Sequence, residues 1–461
     1  MKRAIFKQLL EWKNNPRRKP LILMGARQVG KTWAMREFGR QEFAKVAYVS
    51  FDEDLELRKS FEEDFNIKRL LGDIQMHAGF PLTPQDTLII LDEIQECPSA
   101  ITSLKYFCED APEYAVMAAG SLLGIAERRG TGFPVGKVNR LHMYPMTFTE
   151  YLEGTGDEMF AQMVREGEWR QINLFARELE NKLRRYYFVG GMPGVVAEDA
   201  ESRDLNMVRR AQLDILDDYK DDFSKHASMD IAQNIALAWE SIPSQLARED
   251  KRFLYNRVQP GMHARHLRMP LHWLVDAGLV APVPRATLPQ HPLEAFKDAA
   301  FKLFFLDVGL LAAKCRLQQR LLLDRTAVFT QFKGALTEQY VQQQLRAECG
   351  LEPYYWAAER AQAEVDFLLP TDDGVFAMEV KAERNLKARS LQSFYRRYRI
   401  PLAVRVSMSP YSVQKVPIPA TKVTEPGEYT LLDIPLSAVG RVASECAAIC
   451  EHGGLPQAGG M

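Results

Sequence analysis

Short apolar runs alternate with longer segments of helical character over the first third of the chain. The runs lie at residues 20–24, 46–51, 87–91, 114–119 and 141–144. Near-continuous apolar runs of this kind are typical of strands that are buried on both faces of a parallel sheet. Because helical segments separate the runs, the pattern predicts a βαβ series, which is an α/β fold with a mostly parallel sheet.

A glycine-rich turn follows the first apolar run and leads into a helical stretch at residues 33–38. The turn has the spacing G-x-x-x-x-G-K-T and reads Gly25-Ala26-Arg27-Gln28-Val29-Gly30-Lys31-Thr32. Its glycines let consecutive N–H groups point at phosphate oxygens, and the next helix adds its positive N-terminal end. The order of strand, loop and helix predicts that all eight residues bind nucleotide, rather than forming a chance turn. Lys31 is expected at the β- and γ-phosphates, and Thr32 at Mg²⁺.

Two further apolar runs end in polar residues that suit nucleotide hydrolysis. Asp92 and Glu93 close the run at residues 87–91. In enzymes with this loop, such a strand end places an Asp against the Mg²⁺ shell. We predict that role for Asp92 and activation of the attacking water for Glu93. Ser121 follows the run at residues 114–119, where it either contacts the γ-phosphate or the water, or belongs to a plain strand-to-helix turn.

Cations near residues 128–140 are candidates for an arginine finger, which stabilises transition-state charge during phosphoryl transfer. The candidates are Arg128, Arg129 and Arg140. For each of them the alternative is an exposed loop cation.

The middle of the chain divides into a helical segment and a segment with the pattern of a winged helix. Residues 156–227 predict a helical lid, interrupted by Gly190-Gly191-Met192-Pro193-Gly194, which either touches nucleotide or forms a tight turn that only glycine permits. Residues 228–318 predict three helices: one at 231–242, a second that begins after an N-cap at Ser244, and a third at 262–277. Two strands, at 278–283 and 302–307, are expected to form the wing. The third helix carries His263, Arg265, His266 and Arg268, which suits DNA. The alternative is a winged helix that only packs against the first domain.

Residues 325–440 contain two alternating strands joined by turn residues 370–374. Period two places Glu379 and Lys381 on one face, and Asp366 of the partner strand can lie near them. An upstream helix at 334–345 carries Glu338. The alternative is a hairpin with a surface ion pair. The basic stretch that follows has interleaved aromatics and predicts a helix that tracks phosphates: Arg384, Lys387, Arg389, Arg396, Arg397 and Arg399, with Phe394, Tyr395 and Tyr398.

Composition limits the classes of partner. The 461 residues have a formal net charge of −1, so any basic surface must be local. Six scattered cysteines without a C-x-x-C pair or zinc spacing predict reduced thiols and a cytoplasmic protein. The N-terminus lacks the apolar core of a signal peptide, and no run approaches the length of a membrane span. Residues 441–461 predict a disordered tail.

These motifs resemble those of bacterial and archaeal AAA-type ATPases that carry a C-terminal DUF4143 domain. The resemblance extends to about residue 410 and is carried by residues 18–32, 91–95, 144–151, 190–194 and 305–311. It implies that ATP is the bound nucleotide and that residues 1–155 form the ATPase domain. Similar proteins usually carry Gly-Arg where this chain has Gly136-Lys137, and lysine lacks the bidentate fork of arginine.

The pattern of Asp366 and Glu379-x-Lys381 resembles the core of PD-(D/E)xK nucleases. The resemblance implies that Asp366 and Glu379 hold Mg²⁺ with Glu338 as a further ligand, and that Lys381 positions water or stabilises charge.

The sequence as a whole predicts an α/β protein with a P-loop NTPase domain, a helical lid, a winged-helix-like region and a C-terminal α/β nuclease-like domain. Its expected function is Mg²⁺-dependent ATP hydrolysis coupled to action on DNA. The alternative is a nucleotide-controlled switch or scaffold whose C-terminal domain binds DNA or protein without cleaving. Either function allows a homo-oligomer.

Overall fold

The computed structural model describes residues 3–120, 132–227, 229–323, 331–358, 363–382, 389–420 and 425–452. They belong to two compact units, residues 1–144 with 271–279, and residues 145–270 with 280–461. All six cysteines are free thiols. Within the described ranges, no helix combines the length and the apolar character needed to cross a bilayer.

The first unit is built on a five-stranded parallel sheet. Its strands are β1 Leu21–Met24, β2 Lys45–Ser50, β3 Thr87–Asp92, β4 Ala115–Ala119 and β5 Asn139–His142. The strand order is β2-β3-β4-β1-β5, and every neighbouring pair is parallel. Its helices are α1 Ile5–Asn14, α2 Lys31–Glu42, α3 Leu55–Glu63, α4 Ile67–Ala78 and α5 Pro98–Asp110, with a 3₁₀ turn at Ile94–Glu96.

The central strands of this sheet are apolar because both of their faces are covered. Every residue of β3 and of β4 is buried. Such strands cannot alternate between apolar and polar residues, which explains the continuous apolar runs in the sequence. The predicted α/β fold with a parallel sheet is therefore confirmed for this unit.

Helices precede and flank the sheet of the second unit. They are α6 Phe148–Gly154, α7 Glu158–Glu166, α8 Trp169–Leu174, α9 Ala176–Val189, α10 Pro193–Ser202, α11 Leu205–His226, α12 Met229–Leu246, α13 Tyr255–Val258, α14 Ala264–Asp276, α15 Val308–Lys314, α16 Gln319–Leu323, α17 Gln331–Ala347, α18 Arg389–Tyr398 and α19 Val442–His452. Residues 271–276 of α14 belong to the first unit. Two 3₁₀ turns lie at Leu293–Phe296 and Leu436–Arg441.

The sheet of the second unit is mixed and has eight strands. They are β6 Val280–Ala286, β7 Lys297–Phe305, β8 Tyr354–Ala357, β9 Glu364–Thr371, β10 Gly374–Val380, β11 Leu402–Ser407, β12 Ser412–Ile418 and β13 Gly427–Pro435. The strand order is β12-β13-β11-β10-β9-β8-β6-β7. The two strands predicted as a wing are β6 and β7, and they share this sheet with the predicted hairpin β9–β10.

Two local expectations differ from the structure. Ser244 does not begin a helix, because α12 continues through it and its hydroxyl donates to the Ser241 carbonyl oxygen at 2.8 Å. The predicted disorder from residue 441 fails for residues 442–452, which form α19. That helix is held by the buried side chains of Val442 and Cys446. Residues 453–461 lie outside the described residues.

The Gly190-Gly191 turn of the second unit is closed by the buried carboxylate of Asp307. Oδ2 accepts from the Gly191 N–H at 2.7 Å, and Oδ1 accepts from the Leu310 N–H at 2.9 Å as the N-cap of α15. Gly190 has a φ of 78°, and a Cβ there would overlap the Asp307 carboxylate. This geometry supports the tight-turn interpretation of the glycine pair.

Replacing Asp307 with Ala should destabilise the second unit by about 3 kcal/mol, because one helix cap is lost and buried N–H groups lose their acceptor. Asp204 is the matched control, since it also caps a helix, α11, but is exposed and accepts from the Asn206 N–H at 2.8 Å. Its Ala variant should cost about 1 kcal/mol or less. Urea denaturation followed by circular dichroism measures both, and equal losses would contradict the structural role of Asp307.

Candidate functional site

The loop between β1 and α2 has the backbone conformation that its glycines allow. Gly25 has a φ of 147°, and a Cβ there would overlap the carbonyl oxygen of Met143. Gly30 has a φ of 92° and lies directly before α2. Neither conformation suits a residue with a side chain, so both glycines are required for the path of the loop.

Lys31 lies at the start of α2 and is almost fully buried. Its Nζ donates to the carbonyl oxygens of Gly25 at 2.9 Å and Ala26 at 2.7 Å. Burial lowers the pKa of the ammonium to about 8, although Glu93 and Asp92 oppose this shift by their negative charges. The loop therefore holds a cation that has lost hydration and has two acidic groups within electrostatic range.

The two acids lie at the end of β3, where the sequence predicts them. Asp92 is buried, and its carboxylate accepts from the Tyr48 hydroxyl and from the Glu93 N–H, each at 3.0 Å. Glu93 has a left-handed φ of 46° and accepts from Gln95 Nε2 at 2.6 Å. A non-glycine residue in this conformation is uncommon and is enriched at functional sites. The fold thus brings together Lys31, Asp92 and Glu93, while Thr32 is half-buried in the first turn of α2.

Several supporting residues were missed by sequence reasoning. Tyr48 orients Asp92 from the neighbouring strand β2, and Gln95 holds Glu93. Arg3 donates to the carbonyl oxygens of Val29 at 2.9 Å and Tyr144 at 2.7 Å, which fixes the loop from the N-terminus. Only Gln95 had a local signal, since it lies two residues after Glu93.

Residues 271–279 also lie in the first unit. A Cβ on Gly278 would be 3.2 Å from the backbone nitrogen of Ala26, so this stretch lies close to the loop. At the other end of α14, the predicted DNA-contacting residues His263, Arg265, His266 and Arg268 are exposed.

The arginine-finger candidates are only partly described. Ser121, Arg128 and Arg129 lie outside the described residues. Arg140 is on β5, with its guanidinium 4.6 Å from the centre of the Phe133 ring. Lys137 forms an ion pair with Glu109 at 2.8 Å.

In the second unit, Glu338 and Asp366 lie in a buried network with two lysines. Glu338 pairs with Lys251 at 2.7 Å and Lys302 at 3.7 Å. Burial opposes the ionisation of Glu338, but both lysines outweigh it and hold its pKa below the ordinary value. For Asp366, burial and then the Glu338 charge raise the pKa to about 7. Lys251 and Lys302 had no sequence signal, because they are far from Glu338 along the chain.

A β-bulge directs Asp366 away from Glu379. Tyr354 pairs with Leu368, but Trp356 pairs with Val365, so Asp366 and Phe367 together oppose one residue of β8. Val365 and Leu368 both belong to the core cluster on the α18 face, which leaves Asp366 on the opposite face.

Glu379 lies on the α18 face. It alternates with Val375 and Ala377, which pack in the same cluster as Phe394 of α18. Its Oε1 pairs with Lys381 Nζ at 2.6 Å, and its Oε2 is buried without a hydrogen-bond partner. The predicted proximity of Glu379 and Lys381 is therefore present, as the shared face of the strand required.

The three predicted C-terminal metal ligands do not meet in one place. Asp366 Oδ2 accepts from the Val380 N–H at 2.8 Å, whereas Glu338 is neutralised by lysines. Within the part of the chain that the structure describes, no group of three or more His, Cys, Asp or Glu side chains is arranged to hold a metal ion. The donor set of Glu338, Asp366 and Glu379 does not fit a shared Mg²⁺.

The basic stretch after β10 forms α18 from Arg389 onward, while Arg384 and Lys387 lie outside the described residues. Phe394 and Tyr395 are buried in the core, so they are not available to stack on bases. The Arg397 guanidinium is exposed and lies 5.4 Å from the centre of the Tyr398 ring. The helix therefore offers cations to solvent, but not the interleaved aromatics that the sequence predicts.

Solved structures with some similarity are distant. The Walker-type ATPase PABY2304 of Pyrococcus abyssi is 12% identical, with 67% of this chain and 94% of that chain covered and a TM-score of 0.41. The ORC1 protein of Aeropyrum pernix, solved in complex with DNA, is 14% identical, with coverage of 68% and 91% and a TM-score of 0.29. Cdc6p from Pyrobaculum aerophilum is 13% identical, with coverage of 69% and 93% and a TM-score of 0.27. Similarity at this level does not extend to activity or ligand.

Three stretches of the chain match known families. Residues 17–152 match the AAA domain AAA_14, residues 180–321 match DUF8612, and residues 333–422 match DUF4143, the last two being domains of unknown function. No curated protein matches the chain significantly. The matched AAA domain contains the loop, β3 and both acids described above. The chain thus contains an AAA-type P-loop domain, followed by a DUF8612 middle domain and a C-terminal DUF4143 domain.

Proposed function

We propose that the chain hydrolyses ATP at the site formed by the P-loop and the end of β3. The observation that carries this proposal is the convergence of Lys31, Asp92 and Glu93, with both acids affecting the pKa of the buried ammonium. A P-loop alone accounts for nucleotide binding, whereas hydrolysis also needs a group that can orient or deprotonate water.

Each side chain has a distinct role in this proposal. The N–H groups of residues 25–32 surround the phosphates. Lys31 exchanges its contacts with the carbonyl oxygens of Gly25 and Ala26 for phosphate oxygens, which are stronger acceptors because they are charged. Glu93, held by Gln95, accepts a proton from the attacking water.

Thr32 and Asp92 fit Mg²⁺ by donor chemistry, since hydroxyl and carboxylate oxygens are its preferred protein ligands. When bound, Mg²⁺ neutralises charge on the β- and γ-phosphates. Tyr48 supports this role because its hydrogen bond fixes one Asp92 oxygen. The bulky ring of Tyr48 also contacts the guanidinium of Arg36, 4.7 Å from the ring centre, which restrains it in turn.

Glu93→Gln should retain ATP binding but lower kcat by about 100- to 1000-fold, because the amide cannot accept the proton of water. Lys31→Ala should weaken binding by at least about tenfold, because a charged phosphate contact is lost. Fluorescent-nucleotide titration and phosphate release measure the two effects. The matched control is Glu96→Gln, three residues along the same 3₁₀ turn, and hydrolysis at the wild-type rate by Glu93→Gln would overturn the assignment.

ATP binding should take up protons above neutral pH. The depressed pKa of Lys31, about 8, leaves the amine largely unprotonated at higher pH, and phosphate oxygens raise that pKa again. At about pH 8.5, the protein should take up roughly half a proton or more for each ATP that binds. At about pH 6.5, Lys31 should take up almost none.

Calorimetry in two buffers of different ionisation enthalpy gives the proton count. Lys31→Arg is the control, because a guanidinium stays charged throughout this range. Uptake that persists in Lys31→Arg would assign the proton to another group.

We propose the non-cleaving alternative for the C-terminal domain: a nucleotide-controlled switch whose DUF4143 part binds DNA without cutting it. The separation of Asp366 from Glu379 by the bulge, and the neutralisation of Glu338 by two lysines, favour this form over a nuclease. The exposed arginines of α18 and the exposed start of α14 are the proposed phosphate contacts. The lid at 156–227 and the winged-helix-like region at 228–318 remain our proposed division of the middle, although β6 and β7 join the C-terminal sheet.

Glu338→Gln should destabilise the second unit by about 3–5 kcal/mol, because buried Lys251 loses its charged partner and buried Lys302 keeps only Glu364. Lys415→Ala should cost at most about 1 kcal/mol, because its ion pair with Glu428 is exposed on both sides. Chemical denaturation monitored by intrinsic fluorescence tests this contrast.

Cleavage is tested separately with labelled DNA, Mg²⁺ or Mn²⁺, and each nucleotide state. We expect salt-dependent binding without metal-dependent cutting by the wild-type protein. Cutting that is lost in Lys381→Ala would restore the nuclease interpretation and overturn the non-cleaving proposal.

A further inference from the structure

A solvent-accessible pocket lies between α11 and the segment from α15 to α16 in the second unit. Its volume is about 660 Å³, within the range of small-molecule sites. The residues that line it are Phe188, Asn206, Arg209, Leu213, Ala313, Arg316, Leu317, Gln318, Gln319 and Arg320. The pocket is remote in sequence from the P-loop, and the function proposed above does not use it.

Arg209 lines this pocket and is held by two contacts. Its Nη2 donates to the Leu317 carbonyl oxygen at 3.0 Å, and its guanidinium lies 4.3 Å from the centre of the Phe188 ring. Its Nη1 is buried and has no hydrogen-bond partner. A buried guanidinium N–H without an acceptor is costly, so a small shift of this side chain toward an anionic oxygen in the pocket would be favourable.

The charge of the lining has one sign. Three arginines line the pocket, and none of the described residues that line it is Asp or Glu. Burial lowers the pKa of Arg209 to about 10, and the nearby Cys315 thiol opposes this shift without cancelling it. No acidic side chain of the described lining therefore competes with an external anion for Arg209 and Arg316.

The turn after α15 brings a second arginine to the pocket. Arg316 adopts a left-handed φ of 51°, which turns the chain so that the next residue, Leu317, presents its carbonyl oxygen to Arg209. At the rim, Gln319 Nε2 donates to Asn206 Oδ1 at 3.1 Å and links α16 to α11. Apolar surface from Leu213, Ala313 and Leu317 completes the lining.

We propose that this pocket binds a small organic phosphate, with the phosphate at Arg209 and Arg316 and an apolar body against Leu213 and Ala313. A phosphate dianion matches several guanidinium groups better than a single carboxylate does, because each planar fork pairs two oxygens. The neighbouring amides supply hydrogen bonds that orient the ligand.

The test uses 1-naphthyl phosphate as the probe and the full chain with Lys31→Ala, which removes the main phosphate contact of the P-loop. Titration calorimetry should give saturable binding, weakened at least about tenfold by Arg209→Ala or Arg316→Ala, because each variant removes a charge-assisted contact. Arg210→Ala is the matched control, since Arg210 is the exposed neighbour on α11 and does not line the pocket. Inorganic phosphate and 1-naphthol should each bind more weakly than the probe.

A second variant keeps the test decisive if Arg209→Ala fails to fold. Leu213→Trp fills the pocket from a partly exposed position, with Leu213 at 43% exposure, and should block the probe without disturbing Arg209. Binding that is absent from the parent chain, or unchanged in both Arg316→Ala and Leu213→Trp, would overturn the proposal.

Discussion

The buried ammonium of Lys31 is the charge on which the candidate ATP site depends. An amine that loses water needs acceptors, and here the Gly25 and Ala26 carbonyl oxygens supply them at short distance. Those carbonyls can point inward only because glycine gives the loop its path. Asp92 and Glu93 then supply opposite charge from β3, at the carboxyl edge of the parallel sheet. Phosphate oxygens can replace the carbonyls without moving the lysine far, so the site is organised before its ligand arrives.

Buried charged groups in the second unit also need polar or charged partners, and two of them differ in where such partners lie. Glu338 pairs with two lysines inside the protein, and its charge together with burial leaves Asp366 with a raised pKa. The Arg209 guanidinium has a buried N–H without an acceptor, and no described residue that lines its pocket is Asp or Glu. Pairing of opposite charges inside the protein indicates a structural network, whereas a pocket whose charged lining is cationic suits an anionic ligand.

The predictions that succeeded rest on residues that are close along the chain. The parallel sheet followed from continuous apolar runs, and Glu379 and Lys381 share a face because strand side chains repeat every second residue. Whether Asp366 lies near Glu379 depends on how β9 pairs with a third strand, β8, and this register cannot be predicted from the two strands alone. The bulge opposite Tyr355 reverses the face of Asp366, and no feature of residues 363–369 alone marks that reversal. Phe394 and Tyr395 had a pattern that fits base stacking, but the sheet buries them.

The sequence by itself determined the P-loop, the acidic end of β3 and the α/β class, because backbone geometry over a few consecutive residues sets each of them. Tertiary structure alone decided which distant charges meet. Lys251 reaches Glu338 across 87 residues, and Arg209 reaches Leu317 across 108. Such pairings depend on how helices and strands pack, and packing energy is spread over many side chains rather than encoded at either partner. For that reason a short motif predicts the chemistry of the first unit, whereas the sequence does not predict which charged groups of the second unit pair with one another.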